Sequence, residues 1–297
     1  MSLQARVIAY PPDRAAVQRW IPAGGRIRVG RSPESDLLVD HASVSRAHAD
    51  ILGEANADAW RILDLGSKNG SFLDGARVGD APLTPPCWLR IGDVHCEFAL
   101  FDETQAANAD ARAQGRRAQS QIIIRDIAAR PGLDGLLDDV LRGVLELSGC
   151  SRGFMLMAKG DDYAVMASRS LDTGALRGQA FSGSVGAVQR ALAQRQPVVV
   201  NHVDGEPWLA GRASVLWLGL QSLVCVPLLD GERVLGAVYA DRREAGEPIT
   251  QLDLELLGAF AESAAVYMLA GQAMAALDAA PRWNTIVSAH VRGGVRG

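Results

Sequence analysis

Cysteine is scarce and scattered in this chain. Cys87, Cys96, Cys150 and Cys225 are the only four in 297 residues and form no C-x-x-C pair. That leaves no thiol-redox or zinc-ribbon signature and favours free, buried thiols in a reducing compartment. His41, His95, His202 and His290 fall at no metal-ligand spacing. No apolar run approaches the ~20 residues that cross a bilayer, and Met1–Arg14 has no apolar core of secretory-leader length, so a cytoplasmic protein of bacterial style is expected. A strong charge of either sign is also missing: 30 Lys and Arg stand against 34 Asp and Glu, for a formal net charge of −4. A mildly acidic chain is not drawn to nucleic acid or to an anionic membrane. A G-x-x-x-x-G-K-[ST] loop is absent, and no nucleophile stands beside a base. These absences point away from catalysis and towards binding.

What the chain does have is a stretch from Gly30 to Gly75, GRSPESDLLVDHASVSRAHADILGEANADAWRILDLGSKNGSFLDG. Three polar loops alternate in it with short apolar strands. The loops carry Arg31, then Ser45 and Arg46, then Ser67, Lys68 and Asn69. A guanidinium, an ammonium, hydroxyls and an amide gathered in one place suit a phosphate dianion. The geometry favours gathering. Leu37–Val39, the apolar run between the first two loops, spans only ~10 Å at ~3.3 Å per residue. Ala47–Leu52 and Ala59–Leu65 read as a hairpin through Gly53–Asp58, which returns the third loop beside the second.

In these loops the chain resembles a forkhead-associated (FHA) domain, a β-sandwich that binds phosphothreonine peptides. Gly30-Arg31, Ser45-Arg46-Ala47-His48 and Ser67-Lys68-Asn69-Gly70 follow that family's order and separations, over about residues 5 to 101. The resemblance implies that Arg31 and Ser45 contact the phosphate and that Asn69 grips the peptide backbone. It also implies that His48 braces the loops by hydrogen bonding, with no metal, and that Gly30 and Gly70 support the site. Lys68 stands where the family often has threonine or a basic residue, and adds charge but no hydroxyl. Arg46 reads equally as a peptide contact or a solvated side chain. Trp60 and Trp88 read as packing residues.

Asp102–Ser120 is Ala-, Gln- and Arg-rich with no apolar periodicity, either a solvated helix or a tether. Thr104 in it, behind Asp102 and Glu103, is a candidate phosphoacceptor for the site in cis or on a second chain, with an ordinary linker threonine as the alternative. Beyond it, Leu133 to Leu145 shows helical spacing closed by Gly149. Gly153–Ala158, Tyr163–Ser168 and Pro197–Val200 read as strands, and Val185–Gln194 as a helix with Ser184 as its cap. Val224–Leu229 and Val234–Ala240 form a hairpin through Asp230-Gly231. Thr250 and Asp253 form a capping box ahead of a long apolar helix. CSRGFMLM and SLVCVPLLDGERVLGAVYADRR are similar to a GAF domain, an α/β sensor module whose antiparallel sheet carries helices on one side. The cyclic-nucleotide signature is not evident, and no cysteine sits where a bilin attaches. No cofactor is therefore assigned. A pocket would involve Asp204–Leu220, with Trp208, Arg212 and Trp217.

The expected fold is thus multidomain: an all-β sandwich over 1–101, a linker over 102–121, an antiparallel α/β unit over 122–272 and a tail over 273–297. The tail is too short for an output domain. The expected function is a signalling adaptor that binds a phosphothreonine protein, a Ser/Thr kinase or its substrate, and forms a homodimer through its α/β helices or senses a small ligand there. The alternative is a ligand-sensing regulator, or the sensor part of a transcriptional or cyclase system, in which the sandwich is a secondary docking site. A cysteine-based reductase would need clustered thiols, which the spacing does not supply.

Overall fold

The computed structural model describes residues 3–12, 14–54, 59–128, 135–160, 162–171, 185–201, 221–244 and 246–279. Eleven strands open the chain: β1 Gln4–Tyr10, β2 Val17–Ile21, β3 Arg26–Gly30, β4 Leu37–Leu38, β5 Ala49–Gly53, β6 Trp60–Asp64, β7 Ser71–Leu73, β8 Ala76–Val78, β9 Asp80–Leu83, β10 Cys87–Ile91 and β11 Val94–Phe101. They form two sheets, ordered β2-β1-β11-β10-β7-β8 and β4-β3-β5-β6-β9. Every neighbour is antiparallel except β3 and β4. Strict alternation of buried and half-exposed residues in β10 and at the start of β11 gives the six-stranded sheet one apolar face, which turns towards the other sheet. The two sheets meet in a core that includes Val7, Val29, Ile51, Ile62, Leu89 and Phe98, with Trp60 edge-on to Phe98 at 5.7 Å. The sandwich has three strands that the periodicity did not reveal, β2, β8 and β9. Each is short, and their apolar residues are too few to show a period.

The stretch expected as a linker is the first part of one helix, α1 (Glu103–Ala128). Asp102 caps it: its Oδ1 accepts the Gln105 N–H at 2.8 Å, and the Gln105 side-chain oxygen accepts the Asp102 N–H at 3.0 Å. This reciprocal cap offsets the lack of an apolar stripe at the start of the helix. Further along, Ile123 and Ile124 pack on the core of the second unit.

That unit contains α2 (Leu136–Ser148), β12 (Arg152–Lys159), β13 (Asp162–Arg169), α3 (Val185–Gln194), β14 (Val198–Asn201), β15 (Ser222–Asp230), β16 (Arg233–Arg242) and α4 (Gln251–Ala279). Its antiparallel sheet runs β13-β12-β16-β15-β14. Helices cover both faces, which corrects the one-sided arrangement expected from the family resemblance. Val224, Val226 and Val238 face α2 and α4, while Leu223, Cys225 and Tyr239 face α3. A strand covered on both sides is buried almost throughout, as β15 is. Gly149 ends α2 at φ +65°. Ser184 and Asp204–Leu220 lie outside the described residues.

The opening of α4, Gln251–Gly271, is more apolar than the sequence reading allowed. At 21 residues and a mean hydropathy of 1.3 it is long and apolar enough to cross a membrane. Here it lies on the sheet and buries Leu257, Phe260, Ala261, Ala264, Ala265 and Met268. The two units also touch. Ala16 N–H donates to the Ile249 carbonyl at 2.9 Å, and Gln251 N–H to the Ala16 carbonyl at 2.8 Å. Arg116 of α1 pairs with Asp253 of α4 at 3.0 Å.

Candidate functional site

Four connections meet at one end of the sandwich: β3–β4, β4–β5, β6–β7 and the Gly92-Asp93 turn between β10 and β11. Backbone bonds tie the first two. Arg31 N–H donates to the Ser45 carbonyl at 2.9 Å and Ser32 N–H to the Arg46 carbonyl at 3.1 Å. Gly30 permits this approach, since a β-carbon there would sit 2.2 Å from the Arg46 oxygen. The third loop joins through Lys68, whose backbone N–H donates to Ser45 Oγ at 3.1 Å. Asn69 Nδ2 donates to the Ser43 carbonyl at 2.7 Å. The fourth joins through Asp93 N–H to Ser43 Oγ at 2.8 Å and Gly92 N–H to the Gly70 carbonyl at 3.1 Å.

His48 lies fully buried beneath these loops. Its Nδ1 accepts the Ser45 N–H at 3.0 Å, so its proton sits on Nε2, which donates to the Gly70 carbonyl at 3.1 Å. Burial lowers its pKa, against the smaller raising effects of Gly70 and Asp64. The ring is therefore neutral and braces two loops at once.

Asp64 does the same for the third loop. Its carboxylate accepts the Gly66 and Ser67 N–H groups at 3.0 and 2.8 Å, and the Ser67 and Ser71 hydroxyls at 2.6 and 2.7 Å. Burial pushes the carboxyl pKa up, but the Ser67 and Ser71 bonds and His48 outweigh it, and the net shift is downward.

The groups expected to meet phosphate do converge, and the structure sorts them. Ser45 Oγ accepts a hydrogen bond and makes no donation among the described residues, so its proton is available to a ligand. Arg31 is exposed and uses only Nε, towards the Val44 carbonyl at 3.3 Å. Arg46 and Lys68 are exposed. None of the three cations has a carboxylate within ion-pair distance among the described residues. Asp40, on the second loop, is instead neutralised by Arg14 at 2.5 Å. Ser67 departs from its expected role. Its hydroxyl donates to Asp64 and accepts the Gly70 N–H at 3.0 Å, so it shapes the loop and has no proton left for a phosphate.

Sequence reasoning missed Asp64, Ser43 and the Gly92-Asp93 turn as parts of the site. Asp64 left a signal, an Asp just ahead of a Gly-Ser turn, which is an Asx-turn pattern. Ser43 left none, because its partners are distant in sequence. Thr104 follows β11 at the opposite end. From Val94, beside the site, to Phe101 is ~23 Å at ~3.3 Å per residue, so Thr104 cannot reach its own site in this fold. All four cysteines are free and buried, and burial raises the Cys150 thiol to about 11 and the Cys225 thiol to about 12. Among the described residues no three His, Cys, Asp or Glu side chains gather as metal ligands do.

Comparison with known proteins matches residues 27–99 to the FHA domain model and residues 131–268 to a GAF domain model. The glycogen accumulation regulator GarA of Mycobacterium tuberculosis is 33% identical over 101 residues, 31% of this chain and 61% of that protein. The oxoglutarate dehydrogenase inhibitor of Corynebacterium jeikeium is 32% identical over 69 residues, 23% of this chain and 46% of that protein. The chain thus spans less than two thirds of the length of these curated relatives. Among solved structures, the GAF domain of a Coxiella burnetii phosphoenolpyruvate-protein phosphotransferase is 15% identical. It covers 55% of this chain and 98% of that one, at a TM-score of 0.43.

Proposed function

Since the chain joins an FHA domain to a GAF domain, we propose that it is a non-enzymatic signalling adaptor that captures a phosphothreonine-bearing segment of a partner protein, a Ser/Thr kinase or a kinase substrate. The observation that carries this reading is the state of Ser45. Among the described residues its hydroxyl proton is uncommitted, in a ring of loops that also presents Arg31, Arg46 and Lys68 without acidic partners there. A phosphate ester brings ~1.5 to 2 negative charges at neutral pH, and hydrogen bonds to charged groups contribute about 1.5–3 kcal/mol each. The loops are already bonded to one another, so little ordering opposes binding. No bond of the ligand is broken, because nothing in the ring acts as base or nucleophile.

Titrating a phosphothreonine peptide and its unphosphorylated twin tests the reading. Binding should need the phosphate. Ser45→Ala and Arg31→Ala should each weaken it at least tenfold, with ~1.4 kcal/mol per decade. Equal binding of the two peptides, or an Arg31→Ala protein that binds undiminished, would refute it.

For the GAF half the reading is dimerisation. Val266 and Leu277 of α4 stand eleven residues apart, about three turns, and are 62% and 74% exposed, with Met274 nearby at 67%. A second copy of the chain would cover this stripe.

A further inference from the structure

Next to the phosphate loops, the outer face of the six-stranded sheet carries one transverse row of side chains. Register places Arg77 opposite Phe72, Phe72 opposite Arg90, Arg90 opposite His95 and His95 opposite Tyr10. Facing residues of antiparallel strands share a face, and the residues flanking these in sequence, Ser71, Ile91, Val94 and Ala9, are buried. The row therefore points outwards, one residue back from the loops.

Its chemistry is cationic and aromatic. Arg90 sits over Phe72 with Cζ 3.5 Å from the ring centroid and donates to the Gly92 carbonyl at 2.6 Å. The guanidinium of Arg77 lies over Gly70. A β-carbon at Gly70 would meet Arg77 Nε at 2.7 Å, Cζ at 3.1 Å and Nη2 at 3.2 Å. This charge is thus one residue from Asn69. Arg77 is exposed and has no ion pair or side-chain hydrogen bond among the described residues. Asp93 reaches Arg90 only at 4.0 Å, and Glu97, behind the row, accepts from Tyr10 at 3.1 Å. A hollow of about 390 Å³, lined by Gly75, Trp88, Arg90, Asp93 and His95, lies along the row.

We propose that the phosphothreonine site continues onto this row, and that Arg77, with Arg90 and Phe72 behind it, reads acidic residues flanking the phosphothreonine. The partner segment is then an acidic one, running from the loops across β7 and β10. The proposal rests on the phosphothreonine reading. It follows from two facts on this surface: a guanidinium beside Asn69 that is unpaired among the described residues, and its continuity, through Gly70 and Gly92, with the loops that hold the phosphate. Arg77 is a specificity residue here, and the phosphate itself stays with Arg31 and Ser45.

The test uses the full chain and three phosphothreonine peptides: one with alanine flanks, one with three Asp on the N-terminal side and one with three Asp on the C-terminal side. Exposed charge pairs are individually weak, so at low salt one acidic peptide should bind about fivefold tighter than the alanine peptide. That ratio should shrink in ~0.5 M salt as screening grows. In Arg77→Glu the ratio should fall to about one or invert, and Arg77→Lys should keep most of it. The ratio is read within each variant, so a general loss of affinity cancels. Absence of discrimination by the wild-type protein, or an unchanged ratio in Arg77→Glu, would overturn the proposal. Failure of even the alanine-flanked phosphopeptide to bind would instead overturn the phosphothreonine reading.

Discussion

At the residue scale, the site depends on two groups that touch no ligand. Asp64 holds the third loop as an anion. Asp64→Asn would keep the shape but lose the charge that accepts two hydroxyls and two N–H groups. It should cost about 1–3 kcal/mol of stability in a denaturant titration and weaken phosphopeptide binding in parallel. His48 holds the loops as a neutral ring, and its folded pKa lies below the usual His value. Above that usual value, ~6.5, both folded and unfolded forms are neutral there. As pH falls from it towards the folded value, the unfolded chain binds the proton first, so stability is lost with acidity. Melting temperature should therefore drop between about pH 7 and 5, and less so in His48→Gln.

At the scale of elements, two glycine substitutions should separate packing from backbone strain. A β-carbon at Gly30 would overlap the Arg46 carbonyl, so Gly30→Ala must push the first two loops apart. It should destabilise by about 1–3 kcal/mol or more and abolish tight binding. Gly75 has φ +86° with nothing within 4 Å of a β-carbon. Gly75→Ala should show only backbone strain, about 1–2 kcal/mol, with phosphopeptide affinity retained. The start of α4 is a second test of element logic. The Thr250 N–H donates to Asp253 Oδ2 at 2.8 Å, and the same carboxylate pairs with Arg116. Asp253→Ala should lower stability by about 1–2 kcal/mol, since it removes a capping interaction and leaves a cation without its partner.

For the whole molecule, the contact between the two units and the exposed stripe of α4 make separate predictions. Ala16 N–H bonds to the Ile249 carbonyl, and Ala15 packs in the core of the second unit. Ala16→Pro removes that donor. It should split a shared thermal transition into two, as expected when a small interface stops coupling neighbouring domains. Met274→Glu with Leu277→Glu should convert a dimer to a monomer in light scattering. A wild-type monomer would rule out the stripe as a self-association surface.

Some of this was legible along the chain because the determinants are local. Helical spacing announced α2, the Asp230-Gly231 turn announced the hairpin of β15 and β16, and Gly149 and the Thr250/Asp253 pair marked helix ends where the structure has them. Arg31, Ser45, Arg46, Lys68 and Asn69 could be placed on adjoining loops because short loops between short strands leave them few places to go. The role of Ser67 was not legible, since one hydroxyl proton serves either a ligand or Asp64 and only the distances decide. Nor was the joining of Ser43 to Asp93, or the row from Arg77 to Tyr10. Those depend on register between strands far apart in sequence, and register is set by the packing of the whole sandwich. Composition and order were enough to specify a ring of polar, cation-bearing loops on an all-β module ahead of an α/β unit. Which hydroxyl stays free, and which charges stand beside it, required the folded sheets, because hydrogen bonds between distant strands assign each donor once.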